Sequence, residues 1–230
     1  AINAFAPKLD FELVIDWSPP LSDTKCSANP IAKIEKDIRV ALIKDLNKFL
    51  DKQKAVVTDK LKQTLKSFVL NQPEVQSLEA SNTPYTLNSL FGLQKGKDTG
   101  IGNLIADAVA DSMQIKFSRI DKNFKGGVTF SIQPKDFQNL LGLPQGHVIT
   151  QKGSDLHWLD WLLTKGDSVV VAGYTYDPTG SGRSGLGSMV SGGSFRVPPS
   201  FSGTESNNFV TRAIEGKEKE IEKIISEVFQ

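Results

Sequence analysis

From residue 31 to residue 72 the chain contains neither glycine nor proline. Over that stretch apolar side chains fall at Ile31, Ile34, Ile38, Leu42, Leu46, Phe49, Leu50, Val57, Leu61, Leu65, Phe68 and Val69, mostly in steps of three and four. That spacing places them along one face of an α-helix. Asn29 reads as the N-cap and Pro30 as the first helical residue, where its missing N–H costs nothing. Pro73 is the next residue able to stop the helix. Forty residues at 1.5 Å each span about 60 Å, more than the usual diameter of one domain. Either the helix breaks near Ala55 to Thr58, or it projects and packs on something outside its own domain.

Shorter elements surround it. Phe11, Leu13 and Ile15 alternate with Glu12, Val14 and Asp16, the period of a strand, which Pro19 and Pro20 end. Residues 22 to 30 read as a loop. Pro73 to Leu78 reads as one or two helical turns. Five glycine or proline positions punctuate Asn82 to Gly102, so an extended surface loop is expected there, with a short apolar helix near Leu87 to Leu93. Ile101, Leu104, Ile105, Ala108, Val109 and Met113 return to helical spacing. Ile115, Phe117 and Ile120, then Val128, Phe130 and Ile132, predict an antiparallel hairpin turning at Gly126-Gly127. Pro134 opens a short helix through Phe137, Leu140 and Leu141. Asp155 to Leu163 reads as another, capped by Ser154. A turn at Gly166-Asp167 precedes a strand over Ser168 to Tyr176, and Phe195 to Val197 is a brief strand. A last helix is expected from Glu205 to Phe229. Helices and strands are segregated, so the class is α+β: a long N-terminal helix packed on a small antiparallel β-sheet with a C-terminal helix. The chain of 230 residues is read as a single structural domain.

The chemistry-bearing residues form no constellation. The single cysteine, Cys26, excludes a disulfide framework and a cysteine-rich zinc site. No apolar run approaches a membrane span of about 20 residues. The first residues carry no signal-peptide pattern, and the small first residue fits removal of an initiator Met, so a soluble protein made in the cytoplasm is expected. Gly180, Gly182 and Gly185 match the dinucleotide fingerprint, yet more glycines and then a strand come where a helix must open. His147 lies after a Pro-Gln-Gly turn. His157 lies beside Trp158, near Asp155 and Asp160, but nothing else supplies a third metal ligand at recognisable spacing. No serine sits in a Gly-x-Ser-x-Gly elbow. Asp107 and Asp111 read as solvated. No catalytic residue, no metal ligand and no cofactor are expected, and the chain is not read as an enzyme.

Charge and glycine carry more. Lys+Arg is 27 and Asp+Glu is 26, so no global charge points to nucleic acid. Residues 31 to 72 hold ten basic and five acidic side chains, a local net of +5, and Lys44, Lys48 and Lys52 repeat at i, i+4. A solvated face tolerates that repetition; an acidic partner or phosphates would use it. Residues 178 to 193 contain six glycines. A glycine-rich arm over 178 to 200 is expected, ordering against another chain. Phe195, Val197, Pro198 and Pro199 then form a stiff apolar anchor.

The run WLDWLLTKGDSVVVAGYTYD, followed by GRSGLGSMVSGGSFRVPPSFSGTESNNFVTRAI, resembles the C-terminal half of small structural proteins of contractile-tailed bacteriophages, especially marine and cyanobacterial ones. Trp158, Trp161, Leu162, Gly166-Asp167, Arg183-Ser184-Gly185, Met189, Phe195 to Pro199, Phe201 to Thr204 and Asn207 to Ile214 carry the likeness, over roughly residues 155 to 215. The layout also looks like that of neck or tail-completion proteins. The resemblance implies a virion structural protein of the head-to-tail connector. Such a protein is assembled in the host cytoplasm as a homo-oligomeric ring that joins portal or connector to tail. It implies self-contacts, contacts to connector and tail-terminator proteins, proximity to packaged DNA, no membrane, no catalysis and no cofactor. The interface residues expected on these grounds are Lys44, Lys48, Lys52, Gly182, Arg183, Gly185, Phe195, Val197, Pro198, Pro199, Asn207, Asn208 and Arg212. The alternatives are a baseplate or tail-tube component and, less favoured, a host-directed nucleotide-binding enzyme.

Overall fold

The structure is a computed structural model and describes residues 10–16, 30–80, 83–93, 100–132, 137–150 and 153–229. The readings at Cys26, the Asn29 cap, Pro19-Pro20, the loop before Pro30, and Pro134 lie outside the described residues. The backbone falls into two compact units. Among the described residues, one holds 10–61, 113–132 and 218–229; the other holds 62–112 and 137–217. Their division falls inside the long helix.

That helix, α1 (Pro30–Leu70), is unbroken over 41 residues. Of the two alternatives its length left open, the break near Ala55 to Thr58 is absent, because nothing there costs helix propensity beyond two valines and a threonine. The first unit pairs α1 with a sheet of β1 (Asp10–Asp16), β2 (Gln114–Ser118) and β3 (Lys125–Ser131), in the order β1-β3-β2. Both pairings are antiparallel, with Phe11 opposite Phe130 and Ile115 opposite Phe130. Asn47 of α1 grips the chain just after β2. Its side-chain amide accepts from the Ile120 N–H at 2.9 Å and donates to the Ile120 carbonyl at 3.1 Å. Helix α8 (Glu218–Phe229) completes this unit with Phe229, whose ring meets Phe49 edge-on at 6.3 Å. The class is α+β, with a long N-terminal helix, a small antiparallel sheet and a C-terminal helix.

The hairpin turns earlier than its glycines suggest. Gly126 and Gly127 lie inside β3. The turn is built by Asp121, whose carboxylate accepts from the N–H groups of Asn123 and Lys125, and by the buried Phe124 at φ +61°. Those backbone bonds hold the Asp121 carboxyl below its ordinary range. Gly126 is needed for closeness: a Cβ there would come within 3.0 Å of Ile120 Cγ1 and 3.2 Å of the Ser118 carbonyl oxygen.

The other unit contains the end of α1, α2 (Pro73–Glu79), α3 (Leu87–Leu90), α4 (Ile101–Ser112), α5 (Gln138–Leu141), a 3-10 turn (Pro144–Gly146), β4 (Val148–Ile149), β5 (Asp155–Leu156), α6 (Trp158–Leu163), β6 (Val169–Asp177), β7 (Ser188–Arg196) and α7 (Phe209–Ile214). Its core includes Leu78, Leu87, Ile105, Leu140, Trp158, Leu162, Phe209 and Ile214. The short apolar helix expected near Leu87 to Leu93 is present as α3, but it is not on the surface: Leu87, Leu90, Phe91 and Leu93 are all buried, and Phe91 stacks on Trp158 at 5.2 Å. Punctuation by proline and glycine marks its turns correctly and says nothing of its burial. Gly102 belongs to α4, close under Val75 and Glu79. The expected final helix is two. Gly216, at φ +73°, separates α7 from α8, a backbone conformation that glycine adopts without strain. Ser154 caps nothing, because Asp155 and Leu156 are extended and α6 begins at Trp158.

Candidate functional site

The residues expected at an interface divide into those the chain uses internally and those it presents. Phe195 and Val197 are buried. Asn208 is fully enclosed and fully engaged. Its Oδ1 accepts from the N–H groups of Val210 and Thr211, its own N–H donates to Thr211 Oγ1, and Nδ2 donates to the carbonyls of Thr204 and Leu163. It is the N-cap of α7 in a reciprocal box. Arg212 reaches back to Glu74, whose carboxylate is buried, and also donates to Asn207 Oδ1 at 2.7 Å. Among the described residues Glu74 Oε2 and Trp161 Nε1 have no hydrogen-bond partner.

The glycine-rich segment differs from the expected arm. β6 and β7 pair antiparallel over nine residues each, with irregular register beside Gly173, and most of their side chains are exposed. The connection between them folds onto the same unit. Arg183 donates to the Ile149 carbonyl at 2.7 Å, Ser184 is buried with its hydroxyl on the Leu186 carbonyl, and Tyr176 meets Tyr85 edge-on at 5.4 Å. The Gly185 N–H closes a turn on the Gly182 carbonyl at 2.9 Å. The next element after Gly185 is the strand β7, so the fingerprint spacing has no helix N-terminus to work with. Pro198 and Pro199 lead into a turn in which the Pro198 carbonyl accepts from Phe201 and Ser202.

Lys44, Lys48 and Lys52 are exposed on α1, and Lys48 makes a loose ion pair with Asp45 at 3.8 Å. More distinctive is the apolar stripe that precedes them. Ile31, Ile34, Ile38 and Leu42 are each about half exposed, from 49% to 56%. Farther along the same helix Leu50, Val57, Leu61, Leu65 and Val69 are buried.

One cluster is not visible at the level of sequence. β4 and β5 pair Val148 with Leu156 and Ile149 with Asp155. The same register sets His147 opposite His157, one position further out, and Asp155 lies two residues before His157 on the same strand face. Asp155 Oδ2 is 3.1 Å from His147 Nδ1 and 3.2 Å from His157 Nε2, and the two imidazole centroids are 3.7 Å apart. The hydrogen bond to His147 holds the Asp155 carboxyl below its ordinary range, helped by the charge of both rings. These are residues able to hold a metal. Spacing along the chain singles out His157 and Asp155 but seeks their partner nearby in sequence. The signal that could have found His147 is the symmetric hairpin register about residue 152. Asp160, the other acidic neighbour of His157, instead turns to Thr164 and Lys165.

Among the described residues no helix is long and apolar enough to cross a membrane. No protein-family model, no curated protein and no solved structure matches the chain.

Proposed function

We propose that this chain is a structural subunit of a virion neck, forming a homo-oligomeric ring between the connector and the tail. The observation that carries the assembly half of this reading is the half-exposed stripe Ile31, Ile34, Ile38 and Leu42 on α1. Each of these half-exposed isoleucines forgoes roughly half of the about 1.5–3 kcal/mol that full burial gives. A second copy of the chain is the occupant we favour. A closed ring presents the same patch on every subunit and covers every one of them by a single type of contact. The virion half rests on the likeness of residues 155 to 215 to structural proteins of contractile-tailed phages. In this reading the protein binds itself, the connector and the tail terminator. Adhesion and alignment are its work, and Lys44, Lys48 and Lys52 lie on the same helix as the stripe for an acidic neighbour.

Two measurements test it. Light scattering on the purified chain should give a defined oligomer, and the double variant Ile34→Lys, Ile38→Lys should run as a folded monomer. A wild-type chain that stays monomeric at tens of micromolar would remove the ring. Immunogold labelling of virions should place one band between head and tail. Label at the distal tip would move the subunit to the baseplate, and absence of label would end the virion reading.

A further inference from the structure

The histidine pair and the aspartate between them sit on a backbone held firmly on both sides. Gln145, two residues before His147, accepts from the indole N–H of the fully buried Trp158 at 3.1 Å, and Trp158 follows His157 directly. On the far side the Thr150 N–H donates to the Ser154 carbonyl at 2.8 Å, and the Thr150 hydroxyl accepts from the Ser154 N–H at 3.0 Å. A third tether is Arg183 on the Ile149 carbonyl. The side chains, by contrast, face outward: His147 is 26% exposed, Asp155 43% and His157 50%. A fixed base under an accessible face is how an open metal site is built.

We propose that His147 Nδ1, Asp155 Oδ2 and His157 Nε2 hold a divalent transition-metal ion, with Zn²⁺ the best match to two imidazoles and one carboxylate. The spacing supports it. Bonds of about 2.0–2.1 Å in a tetrahedron set ligand atoms about 3.3–3.4 Å apart, and two edges of the triangle here are 3.1 and 3.2 Å. All three ligand atoms lie within 4.8 Å of one another. The ligands come from the two ends of one hairpin, whose register already brings them together. Three protein groups leave the fourth position facing solvent, where water binds or a neighbouring molecule supplies a ligand. The alternative arrangement is a metal-free pair of hydrogen bonds, both rings donating to the one carboxylate oxygen. Metal binding requires the opposite tautomers, with each ring's other nitrogen protonated.

The test uses the full-length chain without a histidine tag, stripped of metal by chelation. Zn²⁺ is titrated in competition with a chromophoric chelator, and Co²⁺ is added separately to read its visible spectrum. One equivalent of Zn²⁺ should bind in the micromolar range or tighter, and Co²⁺ should show the intense bands of tetrahedral coordination. Loss of an outer partner of a metal ligand costs about 10–100-fold in affinity, so His147→Ala and His157→Ala, which remove ligands outright, should each weaken binding at least tenfold. His157 is half exposed, so its alanine variant should keep the wild-type unfolding midpoint without metal, and Zn²⁺ should raise that midpoint for the wild type alone. Absence of micromolar binding, or equal binding by wild type and His157→Ala, would overturn the site and leave the hydrogen-bonded triad.

Discussion

The two ends of α1 have nearly the same pattern and opposite surroundings. At its start Ile31, Ile34, Ile38 and Leu42 repeat at steps of three and four and are half exposed. Toward its end Val57, Leu61, Leu65 and Val69 repeat at steps of four and are almost completely buried. Periodicity states that a helix has an apolar face. It does not state whether the partner of that face belongs to the same chain. The difference is also one of composition: the early stripe is mostly isoleucine among alternating charges, and the late one is leucine and valine, with Lys62 and Lys66 nearby paired to Asp111 and Asp107 of α4.

The sharpest test of the contrast is a pair of truncations. Leu65→Ala should cost about 2–5 kcal/mol of unfolding free energy, the range for buried leucines. Ile38→Ala should fall within about 0.5 kcal/mol, as surface changes do. Urea denaturation measures both, with each added to the Ile34→Lys variant at a concentration at which light scattering shows a monomer. Equal costs would mean the early stripe is covered within the chain. A smaller effect locates where cover begins. Asn47 bonds from α1 to a distant part of the chain, and Asn47→Ala leaves the Ile120 N–H and carbonyl without that partner. It should cost about 1–3 kcal/mol, with hydrogen exchange rising at Ile120 and not at residues 57 to 69. The smallest effect concerns charge. Lys54 lies 2.6 Å from Asp51 and, mainly through that hydrogen bond, holds the Asp51 carboxyl below its ordinary range. A depressed carboxyl pKa adds stability above the unfolded value that is lost as pH falls through the folded one. The stability difference between wild type and Asp51→Asn should therefore be present at neutral pH and vanish in acid. A difference that persists in acid would assign the effect to something other than the ion pair.

The elements legible in the sequence are those whose cause is local. α1 follows from an absence of breakers and a steady step, and β1 from alternation. The hairpin of β2 and β3 is legible as an element and not in its turn, because Gly126 serves a close approach by Ile120 rather than a bend. The split of the last helix depends on Gly216, which a helix could have tolerated at the cost of about 1 kcal/mol. The short helix near Leu87 to Leu93 is legible from its apolar residues, but the conspicuous turn formers around it suggest a surface position, and its burial involves Trp158, far later in the chain. The candidate metal ligands share that difficulty. His147 and His157 meet through the register of two-residue strands too short to show periodicity. Arg212 and Asn208 stand out for their wording within a resemblance, and their positions explain them by internal duties instead.

The pairing of Glu74 with Arg212 joins residues 138 positions apart. During synthesis Glu74 leaves the ribosome long before its counter-ion exists. At about 5–20 residues per second the wait is roughly 7–28 s. Until then α2 cannot settle into its final seat without enclosing a bare negative charge, so this unit should remain open to chaperones and proteases through most of translation. A chain halted before Arg212 is therefore expected to be degraded faster than the full-length chain.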